Sequence, residues 1–243
     1  MGRHSMIKEY IKNIVLGKRS SSKKYIEYLR SIGVKVGNDV TIYVPSKTLI
    51  DEQYPWMITI GNNVRITEGV KILTHDYAWS VLKKLKGGIL GASGTVKIGN
   101  NVFIGMNTII SRNVIIGDNV VIGAGSVVTR NCESNGVYAG VPAKRIMSID
   151  DFYNKREEKQ LEEAKLLATE YYRRYRKKPD SEVFHEYFML FENADSINKS
   201  AVFYNKIKLC ENENDSVKYM KRHAPKFKNY EEFMRYCFDE NYN

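Results

Sequence analysis

Proline and cysteine are scarce in this chain of 243 residues, with 5 and 3 respectively, and there are only 4 histidines and 2 tryptophans. The cysteines, Cys132, Cys210 and Cys237, are odd in number, far apart and free of any C-x-x-C spacing. A disulfide-stapled scaffold and a thiol redox motif are thereby excluded, and a reducing compartment is indicated. No apolar run reaches the length that spans a bilayer. The opening MGRHSMIKEYIKNIVLG has neither the long apolar core nor the cleavage site of a signal peptide, so a cytoplasmic protein is expected. The five residues before Met6 read as a cloning remnant. With 43% apolar residues the chain can still bury a sizeable core, which excludes disordered and collagen-like classes.

Acidic residues are also few in the first part of the chain. Residues 1–147 carry 20 Lys+Arg against 9 Asp+Glu, whereas residues 148–243 carry 18 against 19, so the net charge of +10 belongs to the first part. Such a surplus suits an anionic ligand, a nucleic acid or an acidic membrane surface equally well.

What the sequence does have is a period of six. Ile98, Ile104, Ile110, Ile116, Ile122 and Val128 fall at strict six-residue steps, followed by Gly99, Gly105, Ser111, Gly117, Gly123 and Thr129. Four places after the aliphatics come Val102, Thr108, Val114, Val120 and Ser126. The same grammar occurs at Val36, Ile42, Ile60, Ile66 and Ile72, and the register slips between the two runs. Six fits neither an amphipathic helix nor an alternating strand. It fits a coil of short strands with one large aliphatic per repeat pointing inward, and glycine, asparagine and aspartate behind it supplying the turns. A sandwich of short strands would space its turns more widely.

The pattern [Ile/Val]-Gly-x-x-[Val/Thr/Ser]-x, the run IGNNVFIGMNTIISRNVIIGDNVVIGAGSVVTR and the closing GVYAGVPAKRI resemble the hexapeptide-repeat acyltransferases over roughly residues 30–147. DEQYPWMITIGNNV followed by LTHDYAW is most similar, within that family, to bacterial O-acetyltransferases of capsular and other surface polysaccharides. The resemblance implies a mainly β fold, a left-handed parallel β-helix with three hexapeptides per turn. It further implies acetyl-CoA as co-substrate, no metal, a carbohydrate acceptor, and a homotrimer with sites at subunit junctions.

Around the coil, three regions are expected. Residues 6–33 form an N-terminal helical cap, with Ser20 to Ser31 helical and Tyr25, Tyr28 and Leu29 on one side. Residues 34–147 form the β-helix, interrupted by loops 43–59 and 73–97. Residues 148–243 form an α-helical extension, whose stripe Leu161, Ala164, Ala168, Tyr171 and Tyr175 should lie on the coil or a neighbouring subunit. The aromatic segments FHEYFMLF and YEEFMRYCF read as helical and carry no chemical motif.

His75 is the only histidine of the repeat region and lies in an interruption beside Asp76, Tyr77 and Trp79. Acetyl transfer to a hydroxyl needs a base, and imidazole suits neutral pH; by the family motif, His75 corresponds to the catalytic base. Its second ring nitrogen needs an acceptor, for which Asp76, Asp51, Glu52 and a backbone carbonyl are candidates. Asp51, Asp76, Tyr77 and Trp79 are equally placed to bind the acceptor, and Asp51 could as well be a solvated turn. By the same motif Phe103, Gly105, Met106, Ala124, Thr129, Arg130 and Lys144 fall where coenzyme A is contacted, with Arg145 a further phosphate partner. Gly105, Gly123 and Gly125 both turn the coil and keep its wall low. Phe103 stands where many relatives carry Trp, and Met106 replaces a small residue, which bears on acyl choice.

Other chemistries fit poorly. GASGT at Gly91 is not a nucleophile elbow, GAGSVV lacks the helix of a dinucleotide site, and related zinc β-helices need several histidines where the coil has one. The reading is therefore an acetyl-CoA-dependent O-acetyltransferase acting on a sugar hydroxyl of a surface polysaccharide or its precursor. An N-acetyltransferase of an amino sugar is the alternative. A scaffold binding nucleic acid or other anions is the non-enzymatic one, disfavoured because the positive charge is spread rather than in one block.

Overall fold

In the computed structural model, which describes residues 13–239, short strands pair in parallel with the strand one turn later. Val96–Ile98 lies on Val114–Ile116, Val102–Ile104 on Val120–Ile122 and Ile109–Ile110 on Val127–Val128. The step is 18 residues, or three hexapeptides. Three sheets result, visited in turn by the chain. The first stacks Lys35–Val36, Ile58–Ile60, Val96–Ile98 and Val114–Ile116. The second stacks Thr41–Ile42, Val64–Ile66, Val102–Ile104, Val120–Ile122 and Gly136–Ala139, and ends in the antiparallel strand Lys144–Ser148. The third stacks Leu49–Ile50, Lys71–Ile72, Ile109–Ile110 and Val127–Val128. This is the left-handed parallel β-helix of hexapeptide repeats, a prism with three faces and three edges.

Its interior holds two side chains per hexapeptide rather than one. The aliphatics Ile98 to Val128 are buried, and so are Val102, Thr108, Val114, Val120 and Ser126 at the fourth offset. Hydroxyls are tolerated there because each finds an acceptor: Thr108 and Ser126 both donate to the Gly123 carbonyl, at 3.2 and 2.6 Å.

The edges of the coil differ in their turn chemistry. On the edge between the second and third sheets left-handed φ falls on Gly69, Asn107 and Gly125, whereas on the edge between the first and second it falls on Asn63, Asn101, Asn119 and Asn135. Their side-chain amides form a ladder at 2.8–2.9 Å. Gly99 is needed for another reason: a Cβ there would lie 2.8 Å from the Gly117 carbonyl one turn on. On this edge asparagine makes the turn, and glycine lets turns stack.

The helix Ser22–Ser31 closes the first turn. Ser21 caps it by accepting from the Lys24 N–H at 3.3 Å, while Tyr25 and Leu29 bury completely in the cluster that holds Ile42 and Ile50. Ser22 Oγ accepts from the Ile42 N–H at 2.9 Å, and Arg30 donates to the carbonyls of Val36 and Gly37. Three backbone groups of the first turn thus find partners in the cap. Residues 6–12 of the expected cap lie outside the described residues.

The chain divides into two units between Phe152 and Tyr153. The helix Ile149–Tyr175 begins with a reciprocal cap in which Ser148 Oγ accepts from the Asp151 N–H at 3.0 Å and Asp151 accepts from Ser148. The second unit has its own core of Phe184, Phe188, Phe191, Phe203, Phe233 and neighbours. Here an expectation is corrected. Ala164 and Ala168 are buried in that aromatic core and Leu161 packs against it, whereas Tyr175 is exposed. The stripe is covered by its own unit, because the aromatic segments that follow supply the apolar surface. FHEYFMLF begins at the end of the 3-10 turn Ser181–Phe184 and contains the 3-10 turn Phe188–Leu190 rather than an α-helix. Helices Ala201–Ile207, Glu213–Arg222 and Tyr230–Phe238 complete the unit. Among the described residues, no helix is long and apolar enough to cross a membrane.

Candidate active site

Both interruptions are partly ordered by the coil itself. Within 43–59, read from sequence as one loop, Leu49–Ile50 still pairs with Lys71–Ile72 and keeps a strand in the third sheet. The 3-10 turns Pro45–Lys47 and Pro55–Met57 flank it. The second excursion leaves at Leu73, whose N–H donates to the Ile110 carbonyl at 2.9 Å. It then forms an antiparallel pair, His75–Asp76 against Ala92–Ser93, and the helix Trp79–Lys86. On its return the Gly94 N–H donates to the Thr74 carbonyl at 2.8 Å. Gly94 runs so close to Asn113 that any Cβ would overlap that side chain. Across this excursion the coil's repeat is 38 residues.

The register of the third sheet sets the site. Strand pairing aligns Leu49, Lys71, Ile109 and Val127, so two residues on, at the edge leading to the first sheet, Asp51, Leu73, Ser111 and Thr129 stack. His75 follows Leu73 at the root of the excursion, held between the coil and the hairpin. Its Nδ1 lies 2.6 Å from Asp51 Oδ2. The same oxygen accepts from the Thr74 N–H at 3.1 Å and from the Thr74 hydroxyl, and Oδ1 accepts from the Gln53 N–H at 2.9 Å. Burial by itself would raise the Asp51 carboxyl; the hydrogen bonds from Thr74, Gln53 and His75 overcome it and hold it below the ordinary carboxylate value. Asp51 is almost wholly enclosed, while 19% of the His75 side chain stays open.

His75, Asp76, Leu73, Ser111, Arg112, Asn113 and Thr129 line a cavity of about 450 Å³. A row of rings runs through the histidine. Trp56 contacts Tyr54 at 5.7 Å between centroids, Tyr54 contacts His75 at 5.1 Å, His75 contacts Tyr77 at 5.8 Å and Tyr77 contacts Trp79 at 5.8 Å.

The other candidate partners of His75 are engaged elsewhere. Glu52 accepts from Lys18, Arg19 and Tyr28 at 2.7–2.8 Å; burial would raise it, but these donors bring it down to about 2 and tie it to the N-terminal segment. Asp76 accepts from the Ala78 N–H and faces Arg112 Nε at 3.2 Å, and both keep its carboxyl below the usual range.

The expected coenzyme A contacts are spread over all three edges of the prism. Gly105, Met106 and Ala124 lie at the edge between the second and third sheets, next to Phe103 on the second face and Lys144 at its last strand. Thr129 and Arg130 lie on the His75 edge, and Thr129 lines its cavity. Arg145 donates to the Asn135 carbonyl at 3.0 Å on the remaining edge. One chain does not bring this set together. Arg112 and the Tyr54–Trp56 pair were not read from the sequence as site residues. Counting the register across the 38-residue step would have found Arg112, which stacks on Thr74. Among the described residues, no cluster of three or more histidine, cysteine or acidic side chains could hold a metal ion.

A family model described as bacterial transferase hexapeptide, six repeats, matches residues 95–130. Protein CapG of Staphylococcus aureus is 43% identical over 127 residues, which cover 52% of this chain and 73% of CapG. Among solved structures, a maltose O-acetyltransferase from Clostridium difficile 630 is 28% identical with a TM-score of 0.41, over 58% of this chain and 81% of its own. Soybean serine acetyltransferase is 27% identical with a TM-score of 0.37, over 47% and 40%.

Proposed function

The chain belongs to the bacterial hexapeptide-repeat transferases, and from that premise we propose that it transfers the acetyl group of acetyl-CoA to a carbohydrate hydroxyl of a surface polysaccharide or its precursor. The observation that carries this reading is the Asp51–His75 pair at the mouth of a cavity. A carboxylate on Nδ1 fixes the proton there and leaves the Nε2 lone pair as the base. As the hydroxyl oxygen attacks the thioester carbonyl, its proton passes to Nε2. When the C–S bond breaks, the thiolate takes that proton and the imidazole is neutral again. Asp51 stays ionised throughout and stabilises the intervening imidazolium.

The split donor set favours a shared site. Outward from the third face point Leu49, Ile109 and Val127, an apolar strip interrupted by Lys71. A cyclic trimer closed through that face sets the His75 edge of one chain beside the edge of its neighbour that carries Met106, Ala124 and Lys144. Phe103 and Gly105 belong to that neighbouring edge too, where Lys144 is suited to a phosphate. Thr129 and Arg130 come from the chain that supplies His75.

The test is thiol release from acetyl-CoA with matched hydroxyl and amino acceptors. His75→Ala, folded by circular dichroism, should lose transfer to hydroxyls. Near-normal rates in that variant sink the proposal, and transfer to amines alone changes it to N-acetylation.

A further inference from the structure

We propose that the acceptor is a glycan chain of at least three sugar rings, and that an internal ring is the one presented to His75. This rests on the carbohydrate reading above and adds the length of acceptor that the surface is built to hold.

The row of rings has the base at its centre. Tyr54 and Trp56 come from the first excursion, Tyr77 and Trp79 from the second, so two wings are delivered to His75 by different segments of chain. Trp56 is 67% exposed and Tyr77 is 63% exposed. Large aromatic faces left in water beside a histidine that lines a polar cavity are faces that a ligand covers. A pyranose suits them, because its C–H faces are apolar while its hydroxyls radiate from the rim. One ring over His75 places its hydroxyls among Asp76, Ser111, Arg112, Asn113 and Thr129, the polar lining of the cavity. A single sugar there leaves both wings bare. The next sugar on one side lies against Tyr54 and Trp56, and the next on the other side lies against Tyr77 and Trp79. A terminal residue would need only one wing.

The experiment uses the intact protein, acetyl-CoA and oligosaccharides of one to five sugars cut from the de-O-acetylated surface polysaccharide of the source organism. Thiol release gives kcat/KM, and fragmentation mass spectrometry locates the acetate. The expected result is a rise of roughly tenfold or more from one sugar to three and little beyond, as one or two ring contacts would give, with acetate on internal residues. Trp56→Ala and Trp79→Ala should each flatten that rise while light scattering shows an unchanged assembly. Equal kcat/KM for one and three sugars, or acetate confined to chain ends, overturns the proposal. So does a change of assembly in Trp56→Ala, which would make the wing a subunit contact. Absence of thiol release with every carbohydrate, alongside release with another acceptor class, defeats the underlying function as well.

Discussion

Asp51 Oδ2 and His75 Nδ1 are 2.6 Å apart although 24 residues separate them in the chain. The coil makes them neighbours: Asp51 directly follows the strand Leu49–Ile50 of the third sheet, and its N–H donates to the Ile72 carbonyl of the next turn at 3.0 Å. His75→Ala should lower kcat by roughly 10²–10⁴, the usual worth of a general base. Asp51→Asn should lower kcat in the same direction by less, with the acceptor KM nearly unchanged, because the ring loses its orienting charge and not its reach. Steady-state kinetics on both variants decide this, and an Asp51→Asn enzyme with wild-type kcat would remove the pair from the mechanism.

Mixing inactive chains probes the division of the donor set. His75→Ala and Lys144→Ala subunits, unfolded together and refolded, should regain part of the lost activity, because some junctions then combine an intact His75 edge with an intact Lys144 edge. A fully active monomer by light scattering would rule out shared sites.

Acid should loosen the N-terminal segment through Glu52. Its pKa is depressed from 4.5 to about 2, so the stability it contributes is complete above 4.5, declines as pH falls below that value and is gone below about 2. With the side chain 28% exposed, the contribution is on the order of 1–2 kcal/mol after solvent screening. Urea midpoints of the wild type and Glu52→Gln should therefore differ at pH 7 and converge only as the pH falls to about 2.

Gly99→Ala should destabilise the coil by about 1–3 kcal/mol, the range for overpacking, since its Cβ meets the Gly117 backbone at 2.8 Å. Gly91→Ala, with nothing within 4 Å, should be neutral within about 0.5 kcal/mol. Thermal melts of the two variants make the comparison.

Thiol labelling at pH 8 should modify one cysteine per native chain. Burial pushes Cys132 up to about 11 and Cys237 up to about 12, whereas Cys210 is exposed. Three should react once the chain is unfolded.

Much of this was legible because the coil's order is local and periodic. Aliphatics at six-residue steps specify a strand, a turn and a stack at once, so Ile98 to Val128 could be placed from sequence alone. His75 stood out as a polar residue in an interruption of that rhythm. Its partner did not, because Asp51, Glu52 and Asp76 are equally near in composition and only the strand register separates them. Glu52 follows Asp51 directly yet serves the N-terminal segment. The stripe Ala164 and Ala168 was correctly apolar but assigned to the wrong cover, since a helix face does not name what lies on it. Arg112 escaped notice because its neighbour is fixed by a 38-residue step that the regular period conceals.

The way the second excursion leaves and rejoins the coil has an evolutionary consequence. It is pinched at its neck by the Gly94–Thr74 hydrogen bond and the short pair His75–Asp76 with Ala92–Ser93, and the strand that follows it, Val96–Ile98, stacks in register on Ile58–Ile60 of the turn before. Everything from Tyr77 to Gly91 is therefore an interchangeable cassette. A lineage could lengthen it, shorten it or replace it wholesale, acquiring a new acceptor preference while the His75–Asp51 pair and the hydrophobic column beneath it stay as they are.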